Sequence, residues 1–425
     1  MSHKKKFSFK LLLIFLPFLA FPVINCSAQQ EVAQERPMVK EFYAQYQHPL
    51  FWFSSNENMK RATEWLLRIE NADHIGVISD KIESEQIRID LLSDRTLENS
   101  AKEQRDRQIT GMVLKFIKQL QEGNIRLDYD EVRVARDSVY IDQLLKSNTT
   151  ELVSQTVLRL ECRDHDFLVL KKFLKDSITF KDTLKYKEIV LAMNYRRYFS
   201  VIHPFEFIVV NIPETGAKYY YNDLLKLKMR AVVGRKEHPT PTIASYMTNI
   251  VTFPHWNVPH TIGVKEILPK VQKNDNYLEQ NSYEVVNSKG KVVDDSELKW
   301  KSYTETNFPY YFRQATGSRN SLGVIKFNFK NPYDIFLHST SWKGAFALNY
   351  RFLSHGCIRL EKPFELAKIL RPDQIDMKEL RGGKKNTASK TILLPVPIPV
   401  FIIYVPVMVV GENVVFLPDI YSKIK

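Results

Sequence analysis

Apolar residues recur at helical spacing through the first half of the chain, from about Val39 to Ser200. Ala62, Trp65, Leu66 and Ile69 make one stripe. Ile109, Met112, Val113, Phe116, Ile117 and Leu120 make a second, with Gly123 as its stop. Leu144 and Leu145, then Leu152, Val157 and Leu160, carry the pattern into further helices. Ahead of them, residues 41–46 lead to the aromatic run Phe51-Trp52-Phe53, suited to a core. Nothing in this half gathers several chemical groups. The stripes therefore read as core rather than a cofactor box, and His48, His74 and His165 as surface or structural histidines.

Near Phe205 the period shortens from helix to strand. Phe207-Ile208-Val209-Val210-Asn211-Ile212 is rich in β-branched residues and closes on Pro213. Tyr219-Tyr220-Tyr221 followed by Asn222 and Asp223 predicts a strand and a turn, and residues 227–234 alternate before stopping at Gly234. Prolines 239, 241, 254, 259 and 269 break up the next section, and the polar residues 275–299 predict an excursion over the sheet. Strands resume at 324–329 and 333–337, and Pro363 to Leu370 predicts a short helix with proline in its first turn. Residues 392–410 are apolar but hold Pro395, Pro397, Pro399 and Pro406, which excludes a membrane helix and predicts edge or tail strands. Helices followed by strands make the fold class α+β.

Composition narrows the setting. The chain has 425 residues, 44% of them hydrophobic and 12% aromatic, enough for buried cores. The formal charge is +13, which favours an anionic partner. No zinc-finger, RNP-like or arginine-rich pattern directs that charge to nucleic acid. Lys4 to Lys6, then an apolar run from Leu11 to Ile24 and the small residues Ser27 and Ala28, predict a secretory signal peptide over 1–28 cut after Ala28, and hence a periplasmic location. The competing reading is lipidation at Cys26, with membrane association, against which Asn25 is a poor fit. After that cut only Cys162 and Cys357 remain, and they read either as one disulfide or as two free thiols.

The chemistry concentrates in Ser354-His355-Gly356-Cys357-Ile358-Arg359, with His338 nineteen residues before the cysteine. A thiolate is a strong nucleophile and needs a base or a positive field nearby, so Cys357 is the expected nucleophile and His338 the general acid/base. Backbone N–H groups at Gly356 and Cys357 are candidates for an oxyanion hole. Arg359 reads either as a carboxylate-binding residue or as half of a structural ion pair. His355 is expected to support the loop by bonding a backbone carbonyl. A zinc site on His338, His355 and Cys357 is disfavoured by the tight His-x-Cys spacing, so no metal and no cofactor are expected.

These residues resemble the signature of the L,D-transpeptidases with a YkuD-type catalytic domain. The resemblance extends to Ile208-Val209-Val210-Asn211-Ile212-Pro213, Met229 to Gly234, Pro239-Thr240-Pro241, Trp256-Asn257-Val258-Pro259, Leu322 to Phe327 and Arg359-Leu360-Glu361-Lys362-Pro363, which are similar to the large YcbB-like murein enzymes. It implies a helical scaffold domain over 29–200, a mixed β-sheet catalytic domain over 205–383 with a capping element at 254–300, and a strand-rich tail over 384–425. It implies Ser339 as the backbone orienter of His338, and Trp256 beside the groove, with Arg359 and Ser354 as further substrate-binding residues. The implied reaction is attack on the third residue of a peptidoglycan stem tetrapeptide, loss of D-alanine, and transfer of the thioester to an amine. That amine is a second stem, giving a 3→3 cross-link, or a lipoprotein lysine; with water instead, the chain is an L,D-carboxypeptidase. A cell-wall binding protein without turnover is the reading of a different class. Relatives often carry a D-G-x-x-G-like turn of a peptidoglycan-binding module, and residues 123–198 hold none.

Overall fold

The computed structural model describes residues 37–93, 97–134, 136–148, 151–175 and 182–424. The expected signal peptide and Cys26 lie outside the described residues. The helical half comprises α1 (Pro37–Tyr46), α2 (Asn56–Glu70), α3 (Lys81–Leu92), α4 (Asn99–Glu122), α5 (Asp137–Ser147), α6 (Val153–Leu160), α7 (His165–Lys175) and α8 (Thr183–Ile202). Helix α4 is its axis and packs against α1, α2, α5, α6 and α8. The two predicted stripes meet there: Trp65 and Leu66 of α2 share one buried cluster with Ile109, Val113, Phe116 and Leu120 of α4. The aromatic run at 51–53 is tied to α4 by Asp106, whose carboxylate accepts the N–H groups of Phe51, Trp52 and Phe53 at 2.8–3.0 Å and the Tyr43 hydroxyl. A buried carboxylate needs that many donors to offset its lost hydration.

The strands of the second half are β2 (Glu206–Asn211), β3 (Gly216–Tyr221), β4 (Leu224–Gly234), β5 (Ile243–Thr252), β10 (Ile325–Phe329), β11 (Leu337–His338), β12 (Phe352–Ser354), β13 (Ile358–Leu360) and β14 (Lys390–Ile403), joined by β1 (Tyr129–Asp130) from the helical half. They pair in the order β1-β5-β10-β11-β13-β4-β3-β2-β14, with β12 beside β4. Asn222 and Asp223, both at positive φ, make the predicted turn between β3 and β4. Strand β14 runs parallel to β2 on one side and antiparallel to β5 on the other, so the pairing returns on itself. One face of the sheet encloses its own core, including Val210, Val233, Met247, Phe327, Leu337 and Ile358. The other face receives α7 and α8, where Phe167, Leu170, Ile189 and Met193 pack with Val209, Ala244 and Phe401.

Two expectations change here. The tail prolines were expected in edge or tail strands; β14 is a tail strand, but it lies between two others rather than at an edge. Pro395 and Pro397 fall in a bulge where residues 394–397 face only Thr248, and the pairing to β2 begins only at Val400. A missing N–H costs no ladder bond in such a bulge. The strand predicted at 333–337 is mostly a loop. Asn331 accepts the N–H groups of Tyr333 and Ile335 at 3.0 Å and donates to the carbonyls of Phe329 and Ile335, curling the backbone before β11 begins.

The excursion folds into a second sheet of β6 (Trp256–Asn257), β7 (Tyr283–Val286), β8 (Val292–Val293) and β9 (Tyr311–Gln314), in the order β6-β9-β7-β8. It has its own core of Val258, Val264, Ile267, Leu268, Phe308 and Phe312. It therefore runs past residue 300 to Gln314, because Phe312 stacks on Trp300 with centroids 6.3 Å apart and β9 holds the sheet together. The last two strands, β15 (Val407–Val410) and β16 (Asn413–Phe416), form a hairpin against α7. No helix among the described residues is long and apolar enough to cross a membrane.

Candidate active site

Strands β11 and β13 are parallel neighbours, with Leu337 opposite Ile358 and His338 opposite Arg359. Leu337 and Ile358 point into the core and are fully buried. Alternation then puts His338 and Arg359 on the opposite face, together with Cys357, two residues before Arg359. The spacing of nineteen residues along the chain thus becomes a short step across one strand pair.

His338 is buried, and its Nδ1–H donates to the Ser339 carbonyl at 2.5 Å. A carbonyl only accepts, so this bond fixes the proton on Nδ1 and leaves Nε2 free to take one. Desolvation, with Arg359 and Lys326 adding to it, pushes the imidazole down to about 3, against the carbonyls of Ser339 and Leu322. Gly323, at φ +61, allows this arrangement: a Cβ there would stand 2.5 Å from the Ser339 Oγ.

Cys357 is partly exposed, and its Sγ–H faces the Asp334 carbonyl at 3.7 Å. Desolvation pushes the thiol up to about 11, opposed by the Phe336 backbone amide, Lys326 and Arg359. At neutral pH the resting pair is accordingly a neutral thiol and a neutral imidazole. Cys357 and Cys162 are both free; Cys162 is buried among Phe167 and Leu170 in the helical half.

The loop carrying the cysteine is stapled from within. Ser354, buried, donates its hydroxyl to the Cys357 carbonyl at 2.6 Å and accepts the Gly356 N–H at 3.1 Å. The Gly356 carbonyl accepts from Thr240 Oγ1 at 2.7 Å. Gly356 itself sits at φ +119, where a Cβ would meet Ile335 at 3.0 Å. Two expectations shift accordingly. Ser354, expected as a substrate-binding residue, spends its hydroxyl on the loop itself, and the Gly356 N–H is already engaged. Among the described residues the Cys357 N–H has no acceptor.

His355 differs from expectation in its partner. Its Nε2 lies 2.6 Å from a carboxylate oxygen of Glu266 in the cap, not against a backbone carbonyl. Arg235 Nη2 is 3.0 Å from the same nitrogen and 3.7 Å from the same carboxylate. Trp256 packs in the cap beside Tyr283, with the ring centroids 6.4 Å apart. Arg359 makes no ion pair among the described residues, and its buried Nε has no hydrogen-bond partner. The ion pair nearby is instead Arg230 with Glu361. Sequence reasoning passed over Lys326, Glu266 and Arg235. Lys326 carried one signal, a cation at a polar position between buried Ile325 and Phe327.

A helical half with its own core, a sheet closed on itself, and a histidine and a cysteine at neighbouring strands define a helical scaffold joined to a β-rich domain. Residues 206–398 match the family described as L,D-transpeptidase catalytic domain, YkuD, and residues 37–174 match the Scaffold domain. The chain thus carries a YkuD-type L,D-transpeptidase catalytic domain joined to a scaffold domain, as in YcbB-like proteins. A Haemophilus influenzae protein described as "Putative L,D-transpeptidase" is 36% identical over 234 residues, covering 55% of this chain and 47% of that protein. The chain thus spans about half the length of this curated relative. Solved structures similar to it include L,D-transpeptidase 3 from Mycobacterium tuberculosis with a faropenem-derived adduct, at 14% identity, 47% and 60% coverage and a TM-score of 0.23. Another is the L,D-transpeptidase from Mycobacterium smegmatis, at 12% identity, 47% and 58% coverage and a TM-score of 0.21.

Proposed function

We propose that the chain is an exported L,D-transpeptidase acting on peptidoglycan stem tetrapeptides through a thioester on Cys357. The observation that carries this reading is the His338 tautomer. With Nδ1–H held by Ser339, Nε2 is the ring's proton acceptor, and strand register sets His338 opposite Arg359, two residues after Cys357, in a domain matching the L,D-transpeptidase catalytic family. Cys357 gives its proton to Nε2 as sulfur bonds the carbonyl carbon of the third stem residue, and the displaced electron pair moves to oxygen. The Cys357 N–H meets that oxyanion. Collapse breaks the peptide bond, His338 returns the proton to the D-alanine amine, and the thioester remains. A second stem's amine resolves it to a 3→3 cross-link, and a lipoprotein lysine is an alternative acceptor in cell-wall remodelling.

Export rests on the Lys4–Lys6 and Leu11–Ile24 pattern, with the signal cut after Ala28 placing the protein in the periplasm. The test is release of D-alanine from a tetrapeptide donor, with intact-mass detection of the acyl-enzyme. Wild-type protein is expected to show both, and Cys357→Ala neither, with its melting temperature retained. D-alanine release by Cys357→Ala would overturn the reading. Release with water alone, even when an amine is supplied, would mark a carboxypeptidase instead.

A further inference from the structure

The register across three strands sets a row on one face of the sheet. Lys326 of β10 is opposite His338 of β11, and His338 is opposite Arg359 of β13. Val251 and Val232 close the row at either end. An imidazole is thus bracketed by two cations, on the face that also bears Cys357. The Lys326 ammonium stands 3.9 Å from the centroid of the Phe336 ring, and the Phe336 backbone amide bonds the Cys357 sulfur. Among the described residues Lys326 makes no ion pair. Other partly buried lysines do, such as Lys171 with Glu161 at 2.5 Å and Lys218 with Glu214 at 2.9 Å. The negative charges that act on the Lys326 ammonium are the Asp334 carboxylate, which makes no direct ion pair with it, and the Cys357 sulfur when ionised. Half removing an ammonium from water is unfavourable, and a cation–π contact offsets only about 0.5–2 kcal/mol of that. Such a cation is matched by a negative charge that the site acquires when it works.

We propose that Lys326 is a positioning residue of the acylation step: its ammonium, fixed over Phe336, opposes protonation of His338 at rest and stabilises the charge that passes onto the Cys357 sulfur. This rests on Cys357 and His338 being the reacting pair. The charged groups that act on the thiol are Lys326 from β10, Arg359 from β13 and Asp334 from the loop before β11, and the register sets His338 of β11 between the two cations. His355, Arg235, Glu266 and His238 gather at the rim. Lys326 and Arg359 act from opposite sides of the imidazole, so removing either leaves the other in place. In the step itself the S–H proton moves to Nε2 as the S–C bond forms, and the lysine keeps its own protons throughout.

The experiment compares the full chain with Lys326→Met, Lys326→Gln and Lys326→Arg. It reads the rate of Cys357 alkylation by iodoacetamide against pH, and kcat and KM for D-alanine release. Lys326→Met and Lys326→Gln are expected to raise the alkaline half-point of alkylation by about one pH unit, a roughly tenfold loss of thiolate at a given pH. They lower kcat with KM little changed, and Lys326→Arg restores both. Melting curves identify any variant that fails to fold, and the remaining neutral variant then decides. An unmoved half-point would overturn the proposal, as would a rise in KM alone. A moved half-point in a protein that releases no D-alanine would sustain the lysine's role and sink the substrate assignment instead.

Discussion

Glu266 of the cap lies 2.6 Å from the imidazole of His355, two residues before Cys357. One carboxylate therefore couples a separately folded sheet to the loop that holds the nucleophile. Arg235 stands 3.0 Å from the same ring nitrogen. That nitrogen either donates to Glu266 or accepts from Arg235, not both at once, so the His355 tautomer selects which partner it holds. Both side chains are partly exposed, which keeps the contact worth only about 0.5–1 kcal/mol.

Replacing Glu266 by Gln should loosen the cap without touching the thiol. The expected result is a KM for the tetrapeptide donor raised about two- to fivefold, with kcat little changed. Hydrogen exchange over residues 256–314 should quicken in the same variant. Unchanged exchange there would show that the contact does not hold the cap.

Stability should fall on both sides of a plateau. His338 drops from 6.5 to about 3 on folding, so the folded chain binds fewer protons and stability declines as pH falls below 6.5. Cys357 rises from 9.0 to about 11, so above pH 9 the unfolded thiol ionises first and stability declines as pH rises. Urea midpoints against pH measure this. His338→Gln should flatten the acid limb and Cys357→Ala the alkaline limb, each relative to wild type. A variant with the same slope as wild type removes that group from the account.

Gly323→Ala should slow turnover without abolishing the fold. The new methyl would force Ser339 and the Thr340 nitrogen, 2.7 Å away, to move, and the Ser339 carbonyl orients His338. A fall in kcat of about tenfold or more, with Cys357 still alkylated by iodoacetamide, is expected. Wild-type kcat in this variant would mean that His338 does not depend on that carbonyl.

Asp106→Ala should destabilise the helical half by about 3 kcal/mol or more, because it strands the buried N–H groups of Phe51, Trp52 and Phe53. Asp106→Asn keeps one acceptor oxygen and should lose less. A two-variant urea titration checks the order.

The legible parts of the sequence were those where one local rule decides. Burial against α4 imposes the helical period, so the stripes at 62–69 and 109–120 point to their own core. The turn at Asn222 and Asp223 reads directly, because these residues tolerate positive φ. His338 and Cys357 stood out because a thiol, imidazoles and a glycine crowd together there. What stayed hidden depends on distant partners. Asn331 turns an expected strand into a loop through four bonds of its own side chain. Glu266 gains meaning only once His355 is beside it. Lys326 reads as an ordinary outward lysine until strand order sets it opposite His338. The bonds by which Ser354 clamps its own loop likewise show only in the folded chain.

The closing strand β14 also orders events in time. Its partners β2 and β5 precede it in the chain, with the cap and the strands that carry the site made in between. Until β14 emerges, both strands present open, largely apolar edges of the kind that recruit other chains. Between the emergence of β5 and that of β14 the nascent protein therefore carries two unsatisfied sheet edges, and its need for shielding there ends when residues 390–403 emerge.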